Sequence, residues 1–353
     1  MKRLILAATL WAMAGVSANA GAQAACTGRN LFDDLTPAMR AEVAAAASRV
    51  PHSEGTVWEA RKGDARMLIL GTYHFTDPRH ADAVAALKPR IENAATLMVE
   101  VSPEDQEKLK ARLLSEPDLL MDPVGPSLPE RMGKEQWAAL SEATAARGVP
   151  AILASRMRPW YAAMTLSMSP CMMAEMRAPD GAPAGMDMML MDTAERAGVP
   201  VRSLEPYDTV LGMFDDLSPE DEIDMVLWSL PGAEHADDFT TTTAAAFFAG
   251  KVWELWEFSR LDSYINSGLS RAEVDRQVAL AQERLMDRRN RAWIAPLTAA
   301  AEAAAGAAVK PGAGDTPAGR EVVAAVGALH LPGEQGVLRL LERDGWTVER
   351  VAR

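Results

Sequence analysis

The sequence lacks long hydrophobic runs after its first residues, and positive charge is in the minority. No apolar stretch beyond residue 16 approaches the roughly 20 residues that a membrane-spanning helix requires. Asp and Glu outnumber Lys and Arg by 49 to 36, which gives a formal net charge of −13 at pH 7. The short apolar runs predict no transmembrane segment. Because an acidic surface repels phosphate backbones, we also expect no nucleic-acid partner.

The one early apolar run, residues 4–16, follows Lys2 and Arg3. It is too short to be a stable membrane span, and small residues up to Ala20 and Ala24 offer cleavage sites. This pattern predicts a secretory signal peptide over residues 1–24 and an exported protein, either periplasmic or secreted. The remaining residues, 25–353, are enough to bury a large core as a single domain.

Cysteine is scarce, with only Cys26 and Cys171 in the whole chain. At most one disulfide can therefore form within the chain. An exported protein meets an oxidising compartment, so we favour a Cys26–Cys171 disulfide over two buried thiols.

Strand-length apolar runs alternate with helical patterns along much of the chain. Such alternation predicts an α/β fold with a mostly parallel central sheet covered by helices. The stretch from about 206 to 305 has no strand pattern and predicts a helical insertion, or cap. Residues 307–320, rich in Gly, Pro and Ala, predict a flexible loop. The predicted strands are residues 66–71, 95–101, 149–155, 199–205, 321–327 and 346–351.

Two of the five histidines close the same motif, in which an apolar run is followed by Gly, two residues and His. Gly71 precedes His74, and Gly327 precedes His330. A glycine lets the backbone leave a strand sharply and lie close to a neighbour or a ligand. Since ligands of open α/β sheets bind beyond the carboxyl ends of the strands, we expect both histidines at such an edge. Polar residues also end three other predicted strands: Glu100, Arg156 and Glu205.

Two imidazoles and one or two carboxylates at one edge would suit a divalent metal: Zn, Mn, Fe or Co. A catalytic metal would acidify a bound water and polarise a carbonyl group. The alternative is two histidines that only hydrogen-bond to loop backbone. In the segment DRRNRAW, Arg289 and Asn290 could bind a substrate carboxylate or orient a water, or belong to a basic helix face.

Six segments together resemble the TraB/GumN/PrgY family, which includes the Tiki proteins. They are LILGTYHFTDPR, LMVEV, RPWYAAMTLSM, GMDMMLMDTAERAGVPVRSLE, RRNRAW and VGALHLPGEQGVLRLLERDGWTV. The resemblance runs from about residue 30 to the end. It implies an α/β core similar to the erythromycin-esterase and ChaN-like group, and a metal-dependent hydrolase site made of two GxxH motifs and a glutamate. The HExxH helix of ordinary zinc proteases is absent.

The resulting hypothesis is an exported metal-dependent hydrolase that cleaves a peptide or amide bond. His74, Glu100 and His330 would hold the metal, and Glu205 would be a further ligand or the general base. Arg289 and Asn290 would steady the substrate or the oxyanion. The alternatives are a periplasmic protein that binds a peptide, a haem-like ligand or a metal without turnover, and an accessory factor in envelope polysaccharide production. The expected partner is a peptide or small-molecule substrate.

Overall fold

The computed structural model describes residues 28–177, 185–214, 217–307 and 321–351. The predicted signal peptide, Cys26 and nearly all of the predicted loop 307–320 lie outside these residues. Export, the Cys26–Cys171 disulfide and the loop therefore remain predictions. Among the described residues, no helix is both long enough and apolar enough to cross a membrane.

Six strands form one sheet in the order β4-β3-β5-β2-β1-β6. Strands β4, β3, β5 and β2 are parallel to one another, while β1 is antiparallel to both β2 and β6. This confirms the predicted α/β class with a mostly parallel sheet. The strands are β1 (Val57–Lys62), β2 (Ala65–Thr72), β3 (Thr96–Val99), β4 (Val201–Ser203), β5 (Val322–Gly327) and β6 (Thr347–Arg350).

Helices surround the sheet and make up most of the described chain. Those between β4 and β5 are the predicted helical insertion, and within its described residues it has no strand. Short 3-10 turns cover Leu31–Asp34, Pro117–Leu119 and Ala328–His330, and a π-helical turn covers Glu283–Asp287. The helices are α1 (Pro37–Ala47), α2 (His80–Glu92), α3 (Pro103–Ser115), α4 (Leu128–Arg131), α5 (Lys134–Ala146), α6 (Ala151–Ala154), α7 (Pro159–Ser167), α8 (Pro170–Arg177), α9 (Met186–Arg196), α10 (Thr209–Gly212), α11 (Pro219–Ala233), α12 (Ala236–Phe248), α13 (Val252–Asn266), α14 (Arg271–Gln282), α15 (Arg288–Ala307) and α16 (Val337–Arg343).

The central strands are apolar on both faces because helices cover both sides of the sheet. Every residue of β5 is buried. Its Val323 and Ala325 face a core cluster that includes Phe247, and its Val322 and Ala324 face a cluster that includes Trp293. A parallel strand buried in this way reads as an unbroken apolar run, which explains why its sequence was recognisable.

One predicted strand is wrong. Residues 149–155 contain helix α6, which follows Gly148, at a φ of 76°, and Pro150. Ala154 is buried in a separate, helical core cluster rather than in the sheet. A short apolar run of this kind is compatible with a strand or a buried helical turn, and packing decides between them. Arg156 consequently lies away from the sheet edge and donates to the carbonyl of Gly125 at 2.8 Å.

Candidate functional site

The sheet order explains how the two chain ends meet. Strand β5 lies between β3 and β2, and the three strands run in the same direction. Gly71 pairs with Val326, and Thr72 pairs with Gly327, so both GxxH motifs leave the sheet at one level. Glu100 follows β3, on the other side of β5. The three predicted ligands therefore converge at the carboxyl edge of adjacent strands.

His74 and His330 face the same oxygen of Glu100. The Nε2 atom of each imidazole lies 3.9 Å from Glu100 Oε1. The backbone N–H of Gly327 donates to that oxygen at 2.7 Å, which fixes the carboxylate between the two rings. The side chain of His330 is 8% exposed and that of His74 is 52% exposed, so solvent reaches the centre from the His74 side.

The two motif glycines keep this arrangement possible. A Cβ atom on Gly327 would lie 2.9 Å from His74 Nε2 and 3.3 Å from Glu100 Oε1. The absence of that atom leaves an open space among the three side chains. A Cβ atom on Gly71 would lie 3.0 Å from the Cα of Ala328 in the second motif. The motifs thus pack directly against each other, as close approach between backbones requires.

Each imidazole is held from behind through Nδ1. His74 Nδ1 lies 2.7 Å from Asp187 Oδ2, and the hydroxyl of Thr72 donates to Asp187 Oδ1 at 2.5 Å. His330 Nδ1 lies 2.7 Å from Asn290 Oδ1, while Asn290 Nδ2 donates to the carbonyl of Gln335. Because carboxylate and amide oxygens accept, both Nδ1 atoms carry the proton of the neutral ring and both Nε2 lone pairs face the centre.

Arg289 joins the remaining groups of the site. Its Nε and Nη2 donate to the two oxygens of Glu205 at 2.9 and 2.7 Å. The same Nη2 donates to Glu100 Oε2 at 2.6 Å, and Nη1 lies 3.2 Å from His330 Nε2. Trp293 Nε1 adds a hydrogen bond to Glu205 at 3.0 Å. Both oxygens of Glu205 therefore accept hydrogen bonds, and the carboxylate fixes the position of the Arg289 guanidinium.

The local helix geometry directs three of these side chains toward the sheet. The π-helical turn Glu283–Asp287 immediately precedes α15, which carries Arg289, Asn290 and Trp293. A π-turn shifts the helical phase, and such turns are frequent at functional sites. Asn290 and Trp293 are almost fully buried, which places this face of α15 against the second GxxH turn.

The electrostatic environment shifts the pKa values of the two histidines in opposite directions. Burial alone would lower the pKa of His74, but the hydrogen bond and charge of Asp187, with the charge of Glu100, raise it to about 9. Burial lowers the pKa of His330 to about 4, against the opposing charge of Glu100. Burial would raise the pKa of Glu100, yet the charges of His330, His74 and Arg289 lower it to about 2. Glu100 is therefore a carboxylate at any physiological pH.

The donor set matches a divalent metal in kind. Once His74, whose pKa is about 9, loses a proton as a metal ligand must, two Nε2 lone pairs and a carboxylate surround the space that Gly327 leaves open. Ligand atoms of a tetrahedral zinc site lie about 3.4 Å apart, given metal–ligand bonds of about 2.1 Å. The 3.9 Å separations are wider, and Arg289 occupies the lone pair of His330. Accordingly, within the described ranges no group of three His, Cys, Asp or Glu side chains has the spacing of a formed metal site.

The model of the TraB/PrgY/gumN family matches residues 56–350, which include all six strands and every residue of this centre. The chain belongs to the TraB/PrgY/gumN family. The family expected from the sequence segments is thus confirmed. No protein with a curated description matches the chain.

Several residues of the site were not predicted from the sequence. Asp187 and Thr72 support His74, and Trp293 supports Glu205. Asp187 stands in the methionine-rich segment GMDMMLMD, where no spacing relates it to either GxxH motif. Only the packing of α9 against the end of β2 brings it there. Thr72 could have been noticed, since it lies inside the first motif.

Proposed function

We propose that the chain is a hydrolase that cleaves a peptide or amide bond at the centre formed by His74, Glu100 and His330. The observation that carries the proposal is the shared approach of both Nε2 atoms to Glu100 Oε1, each at 3.9 Å and each held from behind through Nδ1. In this arrangement, two ring nitrogens and a carboxylate oxygen could contact the same bound ion or substrate atom. A histidine pair with purely structural hydrogen bonds would not need it.

His74, Glu100 and His330 are the residues that would hold a divalent metal. When bound there, a metal would supply Lewis-acid polarisation of the scissile carbonyl and a water of lowered pKa. The chain's own contribution is the placement of the ligands. Gly327 leaves the space, and the Gly327 N–H fixes the carboxylate. The exposed side of His74 is the open approach for a substrate.

The contacts favour specific roles for the other predicted site residues. Glu205 is engaged on both oxygens by Arg289 and Trp293, so we assign it the positioning of Arg289 rather than the role of general base. Asn290 is engaged by His330 and Gln335, so it positions His330 rather than an oxyanion. Arg289 contacts both Glu100 and His330, so of these three residues it is the best placed to stabilise negative charge on a reacting oxygen.

The test combines metal content and turnover in the same samples. We would purify the exported protein without chelators, measure its metals by elemental analysis, and follow a peptide library by mass spectrometry. Wild type and His235→Ala, a variant of an exposed histidine, should retain metal and cleave; His74→Ala and His330→Ala should lose both. Equal metal content and equal cleavage in all four proteins would contradict the proposal.

The same experiment separates the binding-protein alternative. A protein that sequesters a peptide, a haem-like ligand or a metal would bind one equivalent and release no product. The export on which both versions depend is a further proposal, and it is tested by finding residue 21 or 25 at the N-terminus of the protein purified from the cell envelope or the medium.

A further inference from the structure

We infer that Asp187 is a positioning residue that sets the orientation and the proton-bearing nitrogen of His74. Asp187 is the second residue of α9, far from both GxxH motifs in the sequence. Its Oδ2 lies 2.7 Å from His74 Nδ1, and its Oδ1 accepts from Thr72 at 2.5 Å. Because each oxygen has its own donor, the carboxylate cannot rotate without losing a hydrogen bond.

The backbone around Asp187 is fitted to the same strand end. The N–H of Met186 donates to the carbonyl of Tyr73 at 3.0 Å. A Cβ atom on Gly185 would lie 2.1 Å from the carbonyl oxygen of His74, a distance that no side chain tolerates. The start of α9 therefore lies directly on residues 73 and 74. Three consecutive residues contact this turn. Gly185 packs against the carbonyl of His74, the backbone N–H of Met186 donates to Tyr73, and the side chain of Asp187 accepts from His74.

The chemical consequence follows from the acceptor-only character of a carboxylate. A neutral imidazole has one N–H and one lone pair, and Asp187 can accept only an N–H. The proton is thus placed on Nδ1, and the Nε2 lone pair faces Glu100. Carboxylates behind metal-binding histidines also raise the basicity of the ligand. The effect on metal binding rests on the proposed function, whereas the orientation of the ring does not.

Three variants isolate this role. Asp187→Ala removes the acceptor. Asp187→Asn keeps an oxygen for His74 Nδ1–H and an N–H for the hydroxyl of Thr72, so it is the conservative rescue. Asp192→Ala is the matched control, because Asp192 lies on the same helix and its exposed side chain pairs with Arg196. Circular dichroism melts establish that each variant is folded.

The first readout is the tautomer of His74, from long-range ¹⁵N–¹H NMR spectra of the five histidines, recorded at a pH where the ¹⁵N shifts show that the ring is neutral. The second is the dissociation constant for Mn²⁺, by calorimetry. We expect Nδ1–H in wild type, Asp192→Ala and Asp187→Asn, and a mixture or Nε2–H in Asp187→Ala. Mn²⁺ affinity should fall about 10- to 100-fold in Asp187→Ala and by a smaller factor in Asp187→Asn.

The outcomes separate this inference from the proposed function. A folded Asp187→Ala with unchanged tautomer and unchanged Mn²⁺ affinity overturns the inference and leaves the metal centre in place. A changed tautomer in a protein that never binds Mn²⁺ supports the inference and contradicts the metal centre. If Asp187→Ala does not fold, Asp187→Leu decides, because leucine keeps most of the side-chain volume and removes both acceptor oxygens. Unchanged tautomer and affinity in Asp187→Leu would overturn the inference.

Discussion

Glu205 and Arg289 form a two-point ion pair beneath the centre, with N···O distances of 2.9 and 2.7 Å. The side chain of Glu205 is only 7% exposed and that of Arg289 14%. Removing one partner of a buried pair leaves the other charge poorly compensated, a loss of about 3–5 kcal/mol in typical cases. Because Arg289 retains Glu100 as a partner, the lower end of that range applies.

We therefore predict that Glu205→Gln lowers the free energy of unfolding by about 3 kcal/mol. The measurement is urea denaturation followed by tryptophan fluorescence. Glu334→Gln is the control, because Glu334 is 60% exposed and pairs with Arg343 on the surface. An exposed pair contributes about 1 kcal/mol or less. Equal losses in the two variants would contradict the buried ion-pair interpretation.

His80 predicts a pH-dependent contribution to stability. It is fully buried, its Nε2 lies 2.9 Å from the carbonyl of Phe75, and burial lowers its pKa below the ordinary value of 6.5. The unfolded chain thus binds a proton at a pH where the folded chain does not. The contribution is present above about pH 6.5 and is lost as the pH falls from there toward the folded pKa.

In His80→Phe, which keeps an aromatic ring beside Tyr73 and Phe247, this contribution disappears. We expect the unfolding free energy to fall less steeply between pH 7 and pH 5 than in wild type. The exposed His235 provides the control variant, His235→Ala. Identical slopes in His80→Phe and wild type would show that His80 does not titrate differently on unfolding.

The histidines of the centre could be predicted from the sequence, whereas Asp187, which hydrogen-bonds to His74, could not. His74 and His330 were recognisable because each follows a buried strand by way of a glycine, and a buried parallel strand has an apolar pattern of its own. Asp187 was not, because its role depends on the start of α9 lying against residues 72–74, which no local pattern records. Strand β1, with the sequence VWEARK, was also missed, since its last two residues, Arg61 and Lys62, are charged and exposed as in a loop.

The guanidinium geometry of Arg289 predicts that lysine cannot replace it. One planar group contacts Glu205, Glu100 and His330 together, and an ammonium on a flexible stem cannot repeat those directions. We expect Arg289→Lys to lower kcat/KM at least about 10-fold, or about 1.4 kcal/mol of transition-state stabilisation. The measurement is steady-state cleavage of the peptide identified from the library. Arg291→Lys, on the exposed face of α15, should be unaffected. Equal rates in both variants would remove Arg289 from the site.

Gly327 provides the most direct test of the open space in the centre. Its φ of −50° is accessible to any residue, so alanine introduces no backbone strain. The added Cβ atom would nevertheless lie 2.9 Å from His74 Nε2 and 3.3 Å from Glu100 Oε1. Gly327→Ala should therefore weaken Mn²⁺ binding at least about 10-fold, since ligand geometry tolerates displacements of only about 0.2 Å. In Gly306→Ala, where a Cβ atom meets nothing within 4 Å, calorimetry should give the wild-type affinity. Wild-type Mn²⁺ binding by Gly327→Ala would mean that the space among these side chains is not where a metal binds.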